Sequence, residues 1–548
     1  MPMAEVRRRT GIPALGVAAA IVAATCVMPY LAVLLAALQG TTDTLGHLAD
    51  TVLAGYTFTT LVLVMTVAAA TFVIGVSTAW LVVMTEFPGR KVLEVALVIP
   101  MAFPPYVLAY AYTHLLDHPG IVQATLREVM DLAPRDYWFP EIRSLGGAAA
   151  MLTLVLYPYV YLLARAGFIG QGANAFLTAR SLGRGPVRSF VSVSLPMVRP
   201  AVAAGVLLVS METIAEFGTV SYFGVQTFAT GIYTSWFSMA DRAAAAQLAS
   251  GLLGFALCLA LLERLNRGAK QYHLAQRQGT MARMELVGGR RWAATASCIL
   301  PATLGALVPT AGLTLMAIGS EQDLLSGRYM GFIRNSLTVA GVGAAVTVTA
   351  AVALGAFQRI CPGRFSLSAL LVSRLGYAVP GGVIAVGLMV PLAAFDNSLD
   401  AFMRERFGVS TGLLLTGSIW VLVTAYMIRF LAAAVGAFEG GMASVSPNMD
   451  AASRVLGRGP YGTLRHVHVP IIAPSLMTAA LIVFVDIMKE LPATLIMRPF
   501  NFDTLAVQAF RLASDERLEG AAVPSLVLAA IGLAPVILLC RNLVRRRA

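Results

Sequence analysis

Four acids set inside apolar runs are the residues best placed to do chemistry. Glu212 and Glu216 are four positions apart, so a helix puts both carboxylates on one face. Asp486 and Glu490 repeat that spacing later in the chain. Tyr106, Tyr110 and Tyr112 add phenolic oxygens near another apolar run. Charges inside a bilayer are costly and usually functional. Carboxylate and phenolic oxygens suit a hard, highly charged cation. The pattern admits an ion path rather than a reaction centre, and a path need not bind tightly, because a good cage would trap the ion. The commoner role of such acids is structural: they pair with Arg or with Lys489, or brace a re-entrant segment.

Other chemistries lack their residues. The six histidines (His47, His114, His118, His273, His466, His468) form no H-E-x-x-H and no Ser/His/Asp set. The five cysteines (Cys26, Cys258, Cys298, Cys361, Cys540) include no C-x-x-C, so neither a zinc site nor a disulfide framework is expected and they read as small packing residues. None of the three lysines (Lys91, Lys270, Lys489) sits in a G-K-[S/T] sequence, so the chain has no phosphate-cradling loop and any ATP must be hydrolysed by another subunit. The expectation is a chain that is not an enzyme and binds no cofactor.

The elements that must carry these residues are long and apolar. The chain is 58% hydrophobic and only 12% charged, with a mean hydropathy of +0.76, against roughly 25% charged residues in a soluble domain. Crossing a bilayer as a helix takes about 20 residues. Runs of that kind lie at 14–38, 57–84, 93–116, 146–168, 200–215, 243–262, 293–317, 335–357, 366–394, 412–436, 473–488 and 522–540, two of them short (200–215 and 473–488). The reading is an all-α polytopic membrane protein of about twelve spans. Arg7, Arg8 and Arg9 precede an apolar run longer than a signal peptide's, which predicts an uncleaved first span. With the N-terminus inside, inner segments carry more than twice the Lys and Arg of outer ones, which predicts cytoplasmic termini. Basic inner loops also account for the net charge of +12 without nucleic acid.

The chain is also duplicated. "RSLGRGPVRSFVSVSLP" (180–196) returns as "RVLGRGPYGTLRHVHVP" (454–470), offset by half of the 548 residues. At that offset Asn174, Arg180, Leu182, Gly183, Arg184, Gly185, Pro186, Val193, Pro196 and Pro200 match Asn448, Arg454, Leu456, Gly457, Arg458, Gly459, Pro460, Val467, Pro470 and Pro474. Glu216 matches Glu490. Six spans per half keep both halves in one orientation, as parallel repeats. The expected domains are a first repeat (1–262) with a cytoplasmic loop at 169–199, a linker (263–292), and a second repeat (293–548) with a loop at 437–472. In each loop Asn174 or Asn448 can cap a short helix, Gly183 or Gly457 can end it in the left-handed conformation, and Pro186 or Pro460 can open a second helix. A rigid projection present twice suits docking into a symmetric partner. His466 and His468 replace Ser192 and Ser194 of the first loop and read as surface residues.

These loops resemble the E-A-A-x-x-x-G, x9, I-x-L-P motif of the membrane subunits of type I ABC importers. Gly183 and Gly457 take the Gly, and Leu195-Pro196 and Val469-Pro470 take the closing dipeptide. The acidic end departs: the Glu position holds Leu177 or Ala451, with Asp450 one residue early, and the Ala-Ala positions read Thr178-Ala179 and Ala452-Ser453. Over nearly its whole length the chain looks like the double-length ferric-iron permeases of bacteria, on "FPGRKVLEVALVIPMAFPPYVLAYAYTHLLD", "EFGTVSYFGVQTFATGIYTSWF" and "DIMKELPATLIMRPFNFDTLAVQAFRLASDERLEGAAVPSL" among other stretches. Fused permeases for 2-aminoethylphosphonate, polyamine or thiamine look similar. The resemblance implies an inner-membrane pore fed by a periplasmic ferric-binding protein and driven by two copies of a cytoplasmic ATPase, which carries the ATP and Mg. A secondary transporter with two six-span halves would need no ATPase and no paired docking helices.

Overall fold

The computed structural model describes residues 13–39, 46–134, 136–171, 174–268, 283–320, 322, 326–377 and 379–545. Arg7–Arg9 and residues 269–282 of the expected linker lie outside the described residues. Among these residues the fold is helical apart from one short parallel strand pair, Thr85–Glu86 with Met284–Glu285. Among the described residues 11 helices are long and apolar enough to cross a bilayer, and one bent pair, Arg90–Ala102 with Pro105–Met130, turns by 95°.

Two expected spans are not single helices. The run 93–116 is interrupted where Phe103 and Pro104 are extended, and the helix restarts with Pro105 in its first turn. A residue before proline is pushed out of the α region, which is what Pro104-Pro105 does twice over. The run 366–394 divides into Arg364–Ser373 and Gly381–Phe407, separated by extended Pro380. Two other runs are longer than expected. Helices Pro186–Ala215 and Pro460–Lys489 absorb the ends of the loops expected at 169–199 and 437–472. Each contains one wide turn, at Phe190–Ser194 and Leu464–His468, immediately before the Leu-Pro or Val-Pro dipeptide. Proline cannot donate to the carbonyl four residues back, and widening the turn accommodates its ring without ending the helix.

The chain forms two compact units, one of residues 1–48, 232–254 and 324–507, the other of 49–231, 255–323 and 508–548. Each joins the central helices of one half of the sequence to the first and last helices of the other half. In the first unit the N-terminal helix Pro13–Gln39 packs on Gly381–Phe407 so closely that a side chain at Gly387 would meet the Pro29 carbonyl at 2.3 Å. In the second unit the helical segment Gly289–Gly319 crosses Pro105–Leu116, and the Tyr112 hydroxyl donates to the Leu304 carbonyl at 2.6 Å.

An ion pair ties each broken span to the helix that follows it. In the second unit Arg165 of helix Leu145–Gln171 grips Glu94, with Nε 3.0 Å from Oε1, and Arg90 lies 3.5 Å from the same carboxylate. Glu94 and Arg165 are each only 4% exposed. The position of Arg165 in the other half is Glu439, and there the signs reverse: Glu439 pairs with Arg374 at the end of Arg364–Ser373, both side chains about two-fifths exposed.

Candidate docking loops and substrate path

The two Gly-Arg-Gly-Pro loops fold alike. Helix Asn174–Ser181 ends at Gly183 with φ +83°, and helix Pro447–Val455 ends at Gly457 with φ +77°. Their end turns make the same hydrogen bonds. Gly183 N–H donates to the Arg180 carbonyl at 3.0 Å and Arg184 N–H to Ala179 at 3.2 Å; Gly457 donates to Arg454 at 3.0 Å and Arg458 to Ser453 at 3.1 Å. This is the helix-ending motif that a left-handed glycine makes possible. Gly185 and Gly459 then run extended into Pro186 and Pro460, each in the first turn of the next helix.

The starts of the two helices differ from expectation. In the second copy Ser446 stands at the capping position and Pro447 opens the helix, so Asn448 lies inside it. Proline's fixed φ and missing N–H suit that opening position and move the start one residue upstream. The first helix starts at Asn174 itself, whose side chain lies outside the described residues.

Most of the motif faces outward. Arg180, Gly183, Arg184, Gly185, Pro196, Ala452, Arg454, Gly457, Arg458, Gly459 and Pro470 are exposed, Pro186 and Pro460 are half-buried, and Ala179 is buried. Leu182 and Leu456 are each 77% exposed at the equivalent place in each turn. A large apolar side chain held out this far, twice, at the tip of a charged turn fits an interface better than a solvated loop.

The loops are anchored by different chemistry. In the second, Asp450 is half-buried and its Oδ1 lies 2.6 Å from His468 Nε2, while Arg359 Nη2 lies 3.0 Å from Oδ2. Burial pulls the Asp450 carboxyl up, but the His468 hydrogen bond and the Arg359 charge outweigh it and leave it below its usual value. His468 is thus a buried residue, contrary to the surface reading from sequence: the wide turn at Leu464–His468 rotates it inward, whereas His466 stays exposed. In the first loop Trp80 packs on Phe176 and Phe190, with centroids 6.2 and 5.3 Å apart.

The membrane acids fall into two kinds. Glu216 and Glu490 each follow a long helix and cap the short one after it. Glu216 accepts the N–H groups of Thr219 at 3.0 Å and Val220 at 3.3 Å. Glu490 accepts those of Ala493 and Thr494 at 3.0 Å and the Thr494 hydroxyl at 2.7 Å. Glu490 also has Arg429 at 3.7 Å; the matching position in the first half is Val155, and among the described residues Glu216 has no ion pair. Arg429 is a residue that sequence reasoning left unassigned, although an arginine in an apolar helix was the signal for a buried acid. Glu212 and Asp486, one turn earlier, are half-buried, with Asp486 in electrostatic range of Lys489.

Of the tyrosines, Tyr112 is used by Leu304, whereas Tyr110 is fully buried and its hydroxyl has no hydrogen-bond partner among the described residues. Its ring lies 4.8 Å from Tyr222 and 5.8 Å from Tyr106. Among the described residues no three His, Cys, Asp or Glu side chains converge to hold a metal.

No protein-family model matches the sequence. Among known proteins the chain is similar to the Fe(3+)-transport system permease protein FbpB 2 of Haemophilus influenzae, at 25% identity over 524 residues, covering 93% of this chain and 95% of that one. It is similar to the probable ABC transporter permease protein y4fN of Sinorhizobium fredii, at 27% identity over 477 residues, covering 80% and 79%. Among solved structures a bacterial ABC transporter involved in importing the acidic polysaccharide alginate aligns at a TM-score of 0.36 and 16% identity, covering 47% of this chain and 96% of that one. With its multi-span helical fold and near full-length similarity to such permeases, the chain is a polytopic permease subunit of an ABC-type importer, related to the FbpB-type ferric transport permeases.

Proposed function

We propose that this chain forms the whole membrane pore of a bacterial inner-membrane importer for ferric iron, with both termini cytoplasmic and two parallel repeats. A periplasmic binding protein delivers the ion. Two copies of a cytoplasmic ATPase seat on helices Asn174–Ser181 and Pro447–Val455 and supply the work of ATP hydrolysis. The observation that carries the docking reading is the pair of identical turns, each presenting an outward leucine. The near full-length likeness to a ferric permease supports the ion.

Closure of the ATPase dimer would move the two docking helices, and each continues through its turn into a long helix, Pro186–Ala215 or Pro460–Lys489, that ends at Glu216 or Glu490. Coupling then runs along one rigid element per half, as a two-state rocking motion. Glu212 and Asp486 contribute oxygens to the path, with Tyr106 and Tyr110 as neutral donors. Lipid covers the apolar outer faces.

The deciding experiment is uptake into vesicles holding this permease with its neighbouring ATPase and binding protein. Radioactive ferric iron is compared with 2-aminoethylphosphonate and a polyamine. ATP-dependent accumulation of iron alone is expected. Accumulation of another solute instead would keep the importer and replace the ion; accumulation without the ATPase would overturn both.

A further inference from the structure

Both docking helices must transmit force, yet the structure anchors them by unlike means. The second is held by charge. Asp450 sits in the first turn of Pro447–Val455, and both carboxylate oxygens are engaged inside the chain. Oδ1 faces His468 Nε2 at 2.6 Å, and Oδ2 accepts from Arg359 Nε at 3.1 Å. Arg359 stands in the last turn of the long helix Gly327–Ile360 and donates also to the Val445 carbonyl at 3.2 Å, two residues before the docking helix begins. His468 closes the wide turn that leads into the next long helix. One carboxylate therefore joins three elements: the docking helix, the helix after it and a membrane-crossing helix. Ser453 and Thr463 add a hydroxyl pair at 2.8 Å between the first two.

The first loop has none of this. The positions of Arg359, Asp450 and His468 are occupied there by Thr85, Phe176 and Ser194. Phe176 and Phe190 instead pack on Trp80, and Phe190 on Phe168 at 6.3 Å. Ring contacts are weakly directional and tolerate sliding. A carboxylate bound on both oxygens by charge-assisted hydrogen bonds fixes distance and angle.

We propose that Asp450, Arg359 and His468 are positioning residues that form an ionic clamp, locking the second docking helix to its own helix bundle so that it acts as the stiff arm of ATPase coupling. In this arrangement the acid near the start of the motif is spent on holding the helix and is withheld from the partner. Contact with the ATPase at this loop falls to the exposed Arg454, Val455, Leu456 and Arg458. The proposal rests on the docking reading above and adds which side chains make one arm rigid.

The test uses the reconstituted transporter with its ATPase and binding protein, and three variants: Asp450→Asn, Arg359→Gln and the two combined. ATPase co-purification, ATP-driven uptake and amide exchange of residues 447–468 are measured on each. Co-purification is expected to match wild type. Each single variant should lose about tenfold in uptake, in keeping with a lost hydrogen bond to a charged group. The double variant should be no worse than the poorer single one, because both remove the same interaction. Exchange should rise across 447–456 and stay unchanged across 174–181. Multiplied losses in the double variant, or wild-type uptake in Asp450→Asn, would overturn the clamp. If Asp450→Asn fails to reach the membrane, Arg359→Lys is decisive. It keeps the charge and loses the two-pronged contact, so about threefold slower uptake with raised exchange supports the clamp, and unchanged exchange rejects it. Failure of the wild-type chain to bind any ATPase would instead sink the docking reading, an outcome visible before any variant is made.

Discussion

Gly183 and Gly457 hold the same left-handed backbone, φ +83° and +77°, at positions half the chain apart. A side chain at either site would meet no atom within 4 Å, so space is not what keeps glycine there. The constraint is the backbone angle alone, which costs an ordinary residue about 1–2 kcal/mol and a β-branched one more. Gly457→Val should therefore impair ATP-driven uptake severalfold at normal membrane levels, while Gly457→Asn should retain most of it. Gly183→Val is expected to act in the same direction and less strongly. Wild-type uptake by an inserted Gly457→Val protein would remove the turn from the coupling path.

The capping acids separate from the path acids. Glu490→Gln keeps the shape of the cap but leaves the Arg429 guanidinium without its counter-charge, so the yield of assembled protein should fall; Glu216→Gln strands no cation and should cost less yield. The double variant Glu212→Gln, Asp486→Asn should assemble normally and take up ferric iron slowly. A membrane fraction blot and one uptake curve read both effects. Normal iron uptake by that double variant would dismiss the path and leave the architecture intact.

The reversed ion pairs should differ in weight. Glu94→Gln leaves Arg165 buried and unpaired, an effect of about 3–5 kcal/mol, and the purified protein should show a large drop in its thermal midpoint. Glu439→Gln acts on a pair that is about two-fifths exposed, where losses are at most about 1 kcal/mol. Equal drops for the two variants would contradict the burial seen here.

Acid should release the second docking helix late. The Asp450 carboxyl lies below its usual value of 3.8, so its contribution is present above that pH and is lost as the pH falls through the still lower folded value. Amide protection of residues 447–456, corrected for the intrinsic pH dependence of exchange, should stay level from about pH 8 to 5. A loss of protection already at pH 5 would show that Asp450 is not held charged.

Hydropathy made the spans legible, and the repeated Gly-Arg-Gly-Pro made the turns legible, because both signals are local. The breaks near 103 and 380 were hidden by apolar residues that continue across them, although Pro104-Pro105 carried the information for the first. The Asp450–Arg359 contact was not readable, since 91 positions separate the two residues and nothing in their spacing marks the contact. Nor was the inward turn of His468, which depends on one extra residue in a helical turn. The partition of the helices into units was equally invisible: an apolar helix shows that it will be buried or lipid-covered, not by which neighbour.

That partition sets a schedule for synthesis. The helix Pro13–Gln39 packs against Gly381–Phe407, which leaves the ribosome more than 300 residues later. At roughly 5–20 residues per second the first helix waits on the order of 15–70 s for its partner. During that time it must remain in the bilayer as a lone span. Its composition suits the wait, for the helix Pro13–Gln39 contains no charged residue. Dividing the gene between the repeats would not yield two independent products. Each half would emerge without the outer helices that complete its core, and the two polypeptides would have to find each other in the membrane before either was finished.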